Sequence, residues 1–359
     1  MLRLLKNLVN AQGPVFLVHF VTNTCNANCA HCFIYSREIH PRYKGREMTL
    51  EEIKKAVTSL SSTLVSISLT GGEPFLRPDF NQIVNLYAQV AKVESINITT
   101  NASMPELIFK SVNQMVNDNP KTNFSITLSI DNIGRKHDEN RRIAGLFSKL
   151  VKTFKVLKKI KSDKLTINFN LTVTPKNERD LKSIYNYLVK KLGAKSLALT
   201  ALRFGSRCQG ADFASGSYSK LNSLVNKGFE KGELEGQHGF IGADFYNAKN
   251  MLMRDTVEKT VREKRFLYYC QAGKLAGIMH ANGDVYPCEL LDKKMGNLRD
   301  FNYDFTKLWQ KKMTKKIQKF IYDTKCFCTY ECFMGVNFLK NPKSYPTILA
   351  NYLKIKAAK

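Results

Sequence analysis

An α/β fold on a parallel sheet is what this 359-residue sequence predicts, and three observations carry the prediction. Short β-rich runs alternate with helix-length segments from residue 14 to about residue 201. Six strand–helix units in series favour right-handed crossovers, and hence parallel pairing. The chemically distinctive residues, a cysteine triplet and a Gly-Gly-Glu-Pro run, follow the first and second strands directly. Ligands gather at such strand ends in sheets of this kind.

The elements follow in order. Pro14–Thr22 is the first strand, and its apolar part, Pro14 to Val21, is the longest apolar run, strand-sized and short of the ~18–20 residues that a bilayer span needs. Glu51–Leu60 spaces its apolar residues three to four apart, and Thr49 with Glu52 before and within it forms a capping-box pattern. Leu64–Thr70, Ser95–Thr100, Asn123–Ile130, Leu165–Thr174 and Ser196–Ala201 are the remaining strands, with helices such as Asn81–Val90 and Leu146–Ile160 between them. The sheet is either open and doubly wound or a curved partial barrel. Residues 206–265 read as a helical linker region. Residues 266–340 hold a second cysteine group, in which Gly277–Ala281 and Asp284–Pro287 flank Asn282–Gly283, a two-residue hairpin signal. Residues 341–359 contain a basic amphipathic helix, expected to close the domain surface, with peripheral membrane contact as the alternative. Residues 1–13 are an N-terminal extension to a barrel or sheet over 14–205.

Apolar residues make up 43% and charged residues 24%, which excludes a disordered chain. The first ten residues, MLRLLKNLVN, lack the long apolar core and small-residue cleavage site of a signal peptide, so a cytoplasmic protein is expected. The net charge of +26 invites nucleic acid, an anionic membrane surface or a phosphorylated substrate. Yet the lysines spread over stretches such as Lys158–Lys164 and Lys307–Lys319, with no aromatic-interleaved stripe for stacking bases. A solvated basic surface is the simpler reading, and nucleic acid is disfavoured.

Nine cysteines fall into two groups, Cys25, Cys29 and Cys32, then Cys270, Cys288, Cys326, Cys328 and Cys332, with Cys208 standing alone. An odd total with tight local spacing and no secretion signal points to metal rather than to disulfides. Cys25-x3-Cys29-x2-Cys32 offers three soft thiolates on one loop. A structural zinc site needs four protein ligands, and His31 is wedged between two of the thiolates, poorly placed to be the fourth. Three thiolates on a four-iron cluster leave one iron open, which is a catalytic arrangement.

The run CNANCAHC, followed by GGEP after the second strand, resembles the signature of the radical S-adenosylmethionine (SAM) enzymes, with His31 where an aromatic residue is usual. The resemblance implies a partial (β/α)6 barrel in which Cys25, Cys29 and Cys32 hold a [4Fe–4S] cluster whose open iron chelates SAM. It implies that Gly71, Gly72, Glu73 and Pro74 meet the SAM amino group, and that Ser129 and Arg141 of SIDNIGRKHDENR hold its carboxylate. His137 and Asp138 are expected to cap the next helix. Thr100 and Asn101 either reach the ribose or simply end their strand, and Arg203 is a weaker SAM candidate.

Cys270-x12-Gly283-x4-Cys288 resembles the start of a SPASM domain, and KCFCTYEC supplies Cys326, Cys328 and Cys332. With five cysteines rather than seven the module looks truncated, similar to the one-cluster "twitch" variant. One auxiliary [4Fe–4S] cluster is expected on Cys270, Cys288, Cys328 and Cys332, with Cys326 spare and an exchange of Cys326 and Cys328 left open; structural zinc is the alternative. Cys208 is either a small buried hydrophobe or a hydrogen-atom donor.

The resemblance implies reductive cleavage of SAM to a 5′-deoxyadenosyl radical that abstracts a hydrogen atom, driven by a ferredoxin- or flavodoxin-type reductant. The expected substrate is a peptide or protein under modification. The alternative is a sugar, nucleotide or lipid-linked metabolite, and a non-catalytic iron–sulfur or zinc protein binding nucleic acid is the remote one. Against the peptide reading, the 24 residues before Cys25 are expected to be too few for the separate leader-peptide-binding domain that many such maturases carry.

Overall fold

The computed structural model describes Leu4, Leu8 and residues 12–32, 34–36, 38–39, 45–202 and 215–359. Six strands run side by side in sequence order: β1 (Phe16–Thr22), β2 (Ser66–Gly71), β3 (Ser95–Thr100), β4 (Asn123–Ile130), β5 (Leu165–Val173) and β6 (Leu197–Ala201). Every neighbouring pair among them is parallel. A sequential order has no switch point. Right-handed crossovers therefore put every connecting helix on one side, the arrangement of a curved partial barrel and not of a doubly wound sheet.

The helices on that side are α1 (Leu50–Ser59), α2 (Phe80–Asn85), α3 (Pro105–Asp118), α4 (Arg135–Arg141), α5 (Leu146–Leu157) and α6 (Leu181–Tyr185). The capping box forms as expected: Glu52 N–H donates to Thr49 Oγ1 at 3.3 Å, and Thr49 N–H donates to Glu52 Oε2 at 2.8 Å. Strand alternation separates two faces. Ile67, Leu69, Ile96, Ile98, Ile126, Leu128, Phe169, Leu171 and Leu199 are buried against the helices. The opposite, inner face carries Ser68, Asn97, Ser125, Thr127, Asn168, Asn170 and Thr200.

The C-terminal part joins the same sheet. β7 (Ala276–Met279) pairs parallel with β1, β8 (Asp284–Tyr286) pairs antiparallel with β7, and β9 (Gly296–Asn297) continues from β8. The expected hairpin is present, but it extends the barrel sheet to nine strands instead of standing apart. Its turn also differs from the expected two-residue Asn-Gly form. Gly283 N–H donates to His280 O at 2.9 Å, so Ala281 and Asn282 are the central residues and Gly283 follows with φ +86°.

The remaining helices are α7 (Ser215–Glu230), α8 (Ala243–Glu263), α9 (Phe305–Gln310), α10 (Lys312–Asp323), α11 (Glu331–Asn337) and α12 (Tyr345–Ala357). The last of these packs on α8 through an apolar cluster that includes Ala248, Met251, Leu252, Ile348 and Ile355, as a closing helix would. No helix among the described residues is long and apolar enough to cross a membrane.

Candidate active site and auxiliary cavity

The cysteine loop leaves β1 and is held from four directions. At its base Glu47 accepts from Thr22 Oγ1 (2.9 Å) and from the Asn23 amide (2.6 Å). On the β2 side, the Gly72 and Glu73 amides each donate at 2.8 Å to the carbonyls of Thr22 and Thr24. Toward β3, Asn26 donates to Ser103 (2.9 Å) and accepts from Asn101 (2.8 Å). From the end of α4, the carbonyls of Asn140 and Arg141 accept from Ala30 (2.9 Å) and Asn28 (3.2 Å). Cys25, Cys29 and Cys32 are all reduced and partly buried on this loop, and the Ala27 amide points at Cys25 Sγ (3.4 Å). Burial raises the Cys25 thiol above its ordinary range and pushes Cys29 up to about 12. Thiolates here therefore need a cationic partner, and the iron of a cluster supplies one; the donor set fits.

The need for glycine in Gly71-Gly72 is steric. A Cβ on Gly72 would meet the Thr24 carbonyl oxygen at 2.0 Å, and one on Gly71 would meet that of Thr22 at 2.3 Å. Glu73 follows, only 1% exposed. Its carboxylate accepts from Thr100 Oγ1 (2.7 Å) and from the amides of Asn101 (2.7 Å) and Phe75 (3.3 Å). Burial outweighs those bonds and raises Glu73 to about 7. Thr100 and Asn101 thus orient Glu73 and the cysteine loop, a role their position at a strand end does not disclose.

Arg141 makes a buried two-pronged ion pair with Asp131, from Nε to Oδ2 at 2.8 Å and from Nη2 to Oδ1 at 3.0 Å. Asn140 Nδ2 donates to Asp131 Oδ2 (2.8 Å) and reaches His31 Nδ1 (3.2 Å), while His31 Nε2 lies 3.7 Å from Asp131 Oδ1. Burial lowers the His31 pKa, against the opposing pull of Asp131. The ring buttresses the Asp131 cluster from its place beside Cys32. Ser129 sits on the inner face of β4, two residues before Asp131. Asp138 caps α5 as expected, accepting from the amides of Gly145 (2.8 Å) and Phe147 (2.7 Å), whereas His137 Nδ1 accepts from the Asp131 amide at 3.2 Å.

The inner face below this site is a lateral chain of neutral polar groups. Asn97 donates to Ser68 (3.0 Å) and accepts from Thr127 (2.7 Å); Ser196 donates to Asn168 (2.8 Å), and Thr200 to Asn170 (2.9 Å). Thr200 also bonds Glu331 of α11 at 2.7 Å, and Gln237 reaches Ser125 at 3.1 Å, so the C-terminal segments close over this face. The alternation of Ser, Thr and Asn with apolar residues in SISLTG, SINITT and TINFNLT is the sequence signal for it.

A second cavity, of about 300 Å³, is ringed by Cys270, Cys288, Cys326 and Cys328 together with Leu290, Ile321, Tyr330 and Phe333. Backbone amides point at three of these sulfurs, Ala272 at Cys270 (3.5 Å), Leu291 at Cys288 (3.3 Å) and Tyr330 at Cys328 (3.4 Å). Such bonds tune iron–sulfur potentials. Four soft thiols around one void form a donor set that fits an iron–sulfur cluster. Cys326 lines the cavity, and Cys332, in the first turn of α11, lies within electrostatic reach of Lys249 and Tyr246 on α8. Arg203 and Cys208 fall outside the described residues.

Comparison with known proteins agrees with this architecture. Residues 20–188 match the radical SAM superfamily, and residues 270–333 match SPASM, an iron–sulfur cluster-binding domain. The chain is 24% identical over 344 residues to the antilisterial bacteriocin subtilosin biosynthesis protein AlbA of Bacillus subtilis (strain 168), covering 92% of this chain and 68% of AlbA. It is also 24% identical to the AdoMet-dependent heme synthase of Methanosarcina barkeri, over 83% of each chain. Among solved structures, anSMEcpe with bound AdoMet superposes with a TM-score of 0.64 at 18% identity, covering 96% of this chain and 98% of that one. The first domain implies a [4Fe–4S] cluster with SAM, and the second implies auxiliary iron–sulfur ligation. With the radical SAM match over residues 20–188 and the SPASM match over 270–333, the chain belongs to the radical SAM enzymes that carry a SPASM domain.

Proposed function

We propose that this radical SAM enzyme modifies a peptide or protein in the cytoplasm, drawing its electron from a ferredoxin- or flavodoxin-type reductant. The observation that carries the reading is similarity along 92% of the chain to AlbA, a protein named for bacteriocin biosynthesis, together with the SPASM match. The inner face supports it, because rows of hydroxyls and carboxamides complement backbone amide groups without demanding a charge.

In this reading Cys25, Cys29 and Cys32 hold the catalytic cluster. When bound, the cluster and SAM supply electron-driven cleavage and hydrogen-atom abstraction. Gly71 and Gly72 bring backbone close to the SAM ammonium, and Glu73, with Pro74 fixing the turn after it, faces that ammonium while Thr100 and Asn101 hold its carboxylate. Ser129 and Arg141 take the SAM carboxylate. Cys270, Cys288, Cys326 and Cys328 hold one auxiliary [4Fe–4S] cluster within a domain spanning residues 266–340, behind a barrel spanning 14–205. Cys332 stands outside the ligand set.

The test is co-expression with candidate precursor peptides, followed by mass spectrometry. Loss of a pair of hydrogen atoms per thioether or carbon–carbon link is expected, or deuterium uptake from heavy water for an epimerisation. The heme synthase relative gives the second reading its basis. Unchanged peptides, with 5′-deoxyadenosine formation stimulated by a tetrapyrrole or another small metabolite, would favour that reading.

A further inference from the structure

Asp131 and Arg141 are a closed pair of opposite charges set against the cysteine loop. Asp131 is 2% exposed and Arg141 6%, so neither charge is screened by bulk water. The pair is fixed at every edge. The Arg141 carbonyl takes the Asn28 amide, the Asp131 carbonyl takes Asn177 Nδ2 at 2.8 Å, and the Asp131 amide is held by His137. His31, next to Cys32, stands against the same carboxylate.

We propose that Asp131 is a positioning residue that holds Arg141 against the cysteine loop, and that the two charges together set the reduction potential of the cluster bound there. The inference rests on the reading of Cys25, Cys29 and Cys32 as cluster ligands. Reducing the cluster adds one negative charge beside the loop. A neighbouring cation stabilises that charge and a neighbouring anion opposes it, while a buried neutral pair does little. Removing either partner leaves the other uncompensated in a low-dielectric site. The two single substitutions therefore move the potential in opposite directions, which loss of packing alone would not do.

The experiment is an anaerobic redox titration of the reconstituted full-length chain, following by electron paramagnetic resonance the cluster signal that Cys29→Ala removes. Asp131→Asn should raise the potential and Arg141→Gln should lower it, each by at least a tenfold change in the reduction equilibrium, or 59 mV for one electron. Arg141→Lys, which keeps the charge, should stay near wild type, and the Asp131→Asn/Arg141→Gln double variant should return toward it. If a single variant assembles no such cluster, the double variant, with no unpaired buried charge, should recover assembly. Shifts of the same sign, no shift at wild-type iron content, or failure of the double variant to recover would overturn the proposal. A wild-type signal that Cys29→Ala leaves in place would instead overturn the ligand assignment beneath it.

Discussion

Glu52 on α1 and Arg299, just after β9, are joined by a two-pronged ion pair, Nε to Oε1 at 2.9 Å and Nη2 to Oε2 at 3.2 Å. The same carboxylate takes the Tyr303 hydroxyl (2.7 Å) and Arg46 (2.7 Å) while it caps α1 through the Thr49 amide. A local helix cap is thus also the point where the C-terminal segment locks onto the barrel. The Arg299 bonds hold the Glu52 carboxyl well below the ordinary carboxylate range.

Glu52→Gln should lower unfolding stability by about 1.5–3 kcal/mol, the scale of hydrogen bonds to a charged group. Because the folded-state pKa is depressed, this contribution is full above the unfolded value of about 4.3 and fades as pH falls below it toward the folded value. Denaturant unfolding of both proteins at several pH values should show the gap at neutral pH and its narrowing under acid. A gap that stays constant down to the acid limit would contradict the ion-pair account.

Gly72→Ala places a Cβ 2.0 Å from the Thr24 carbonyl oxygen, which is backbone and cannot turn aside. The cysteine loop must shift, so iron at the N-terminal site should fall severely while the auxiliary site keeps its own. Iron analysis with the spectrum of the reduced protein separates the two. Full iron at both sites would show that the loop tolerates displacement.

Glu73 sits at about 7 through burial. If its ionised form faces the SAM ammonium, SAM affinity should rise about tenfold between pH 6 and pH 8, following the ionised fraction. Glu73→Gln should flatten that dependence. A wild-type titration flat across the same range would remove Glu73 from ammonium recognition.

Single alanine variants of the five C-terminal cysteines test the cavity assignment. Loss of the auxiliary cluster is expected at Cys270, Cys288, Cys326 and Cys328, with iron retained in Cys332→Ala. Iron loss at Cys332 and retention at Cys326 would restore the order that spacing alone suggests.

Local signals were legible and distant pairings were not. Ser95–Thr100 and Asn123–Ile130 are strands with the bounds read from alternation, and the Thr49–Glu52 cap forms as its pattern says. The thiolate loop and its GGEP partner carry their chemistry in their spacing. No local pattern announces that Ala276–Met279 will pair with Phe16–His19 at the edge of the barrel, because that pairing depends on packing such as Trp309 under Gly277. Spacing alone leaves the three thiols of KCFCTYEC as rivals for two places, and the proposal of Cys326 and Cys328 comes from the cavity lining, which brings together residues distant in sequence. The polar inner face was written in the strands, but strand propensity does not say which face meets a substrate.

The most direct test of the whole account is SAM cleavage by the anaerobically reconstituted and reduced chain in the absence of substrate. Slow formation of 5′-deoxyadenosine and methionine is expected from the wild type, and none from Cys29→Ala. Equal 5′-deoxyadenosine formation by the two proteins would contradict the assignment of the Cys25, Cys29 and Cys32 loop as the catalytic centre.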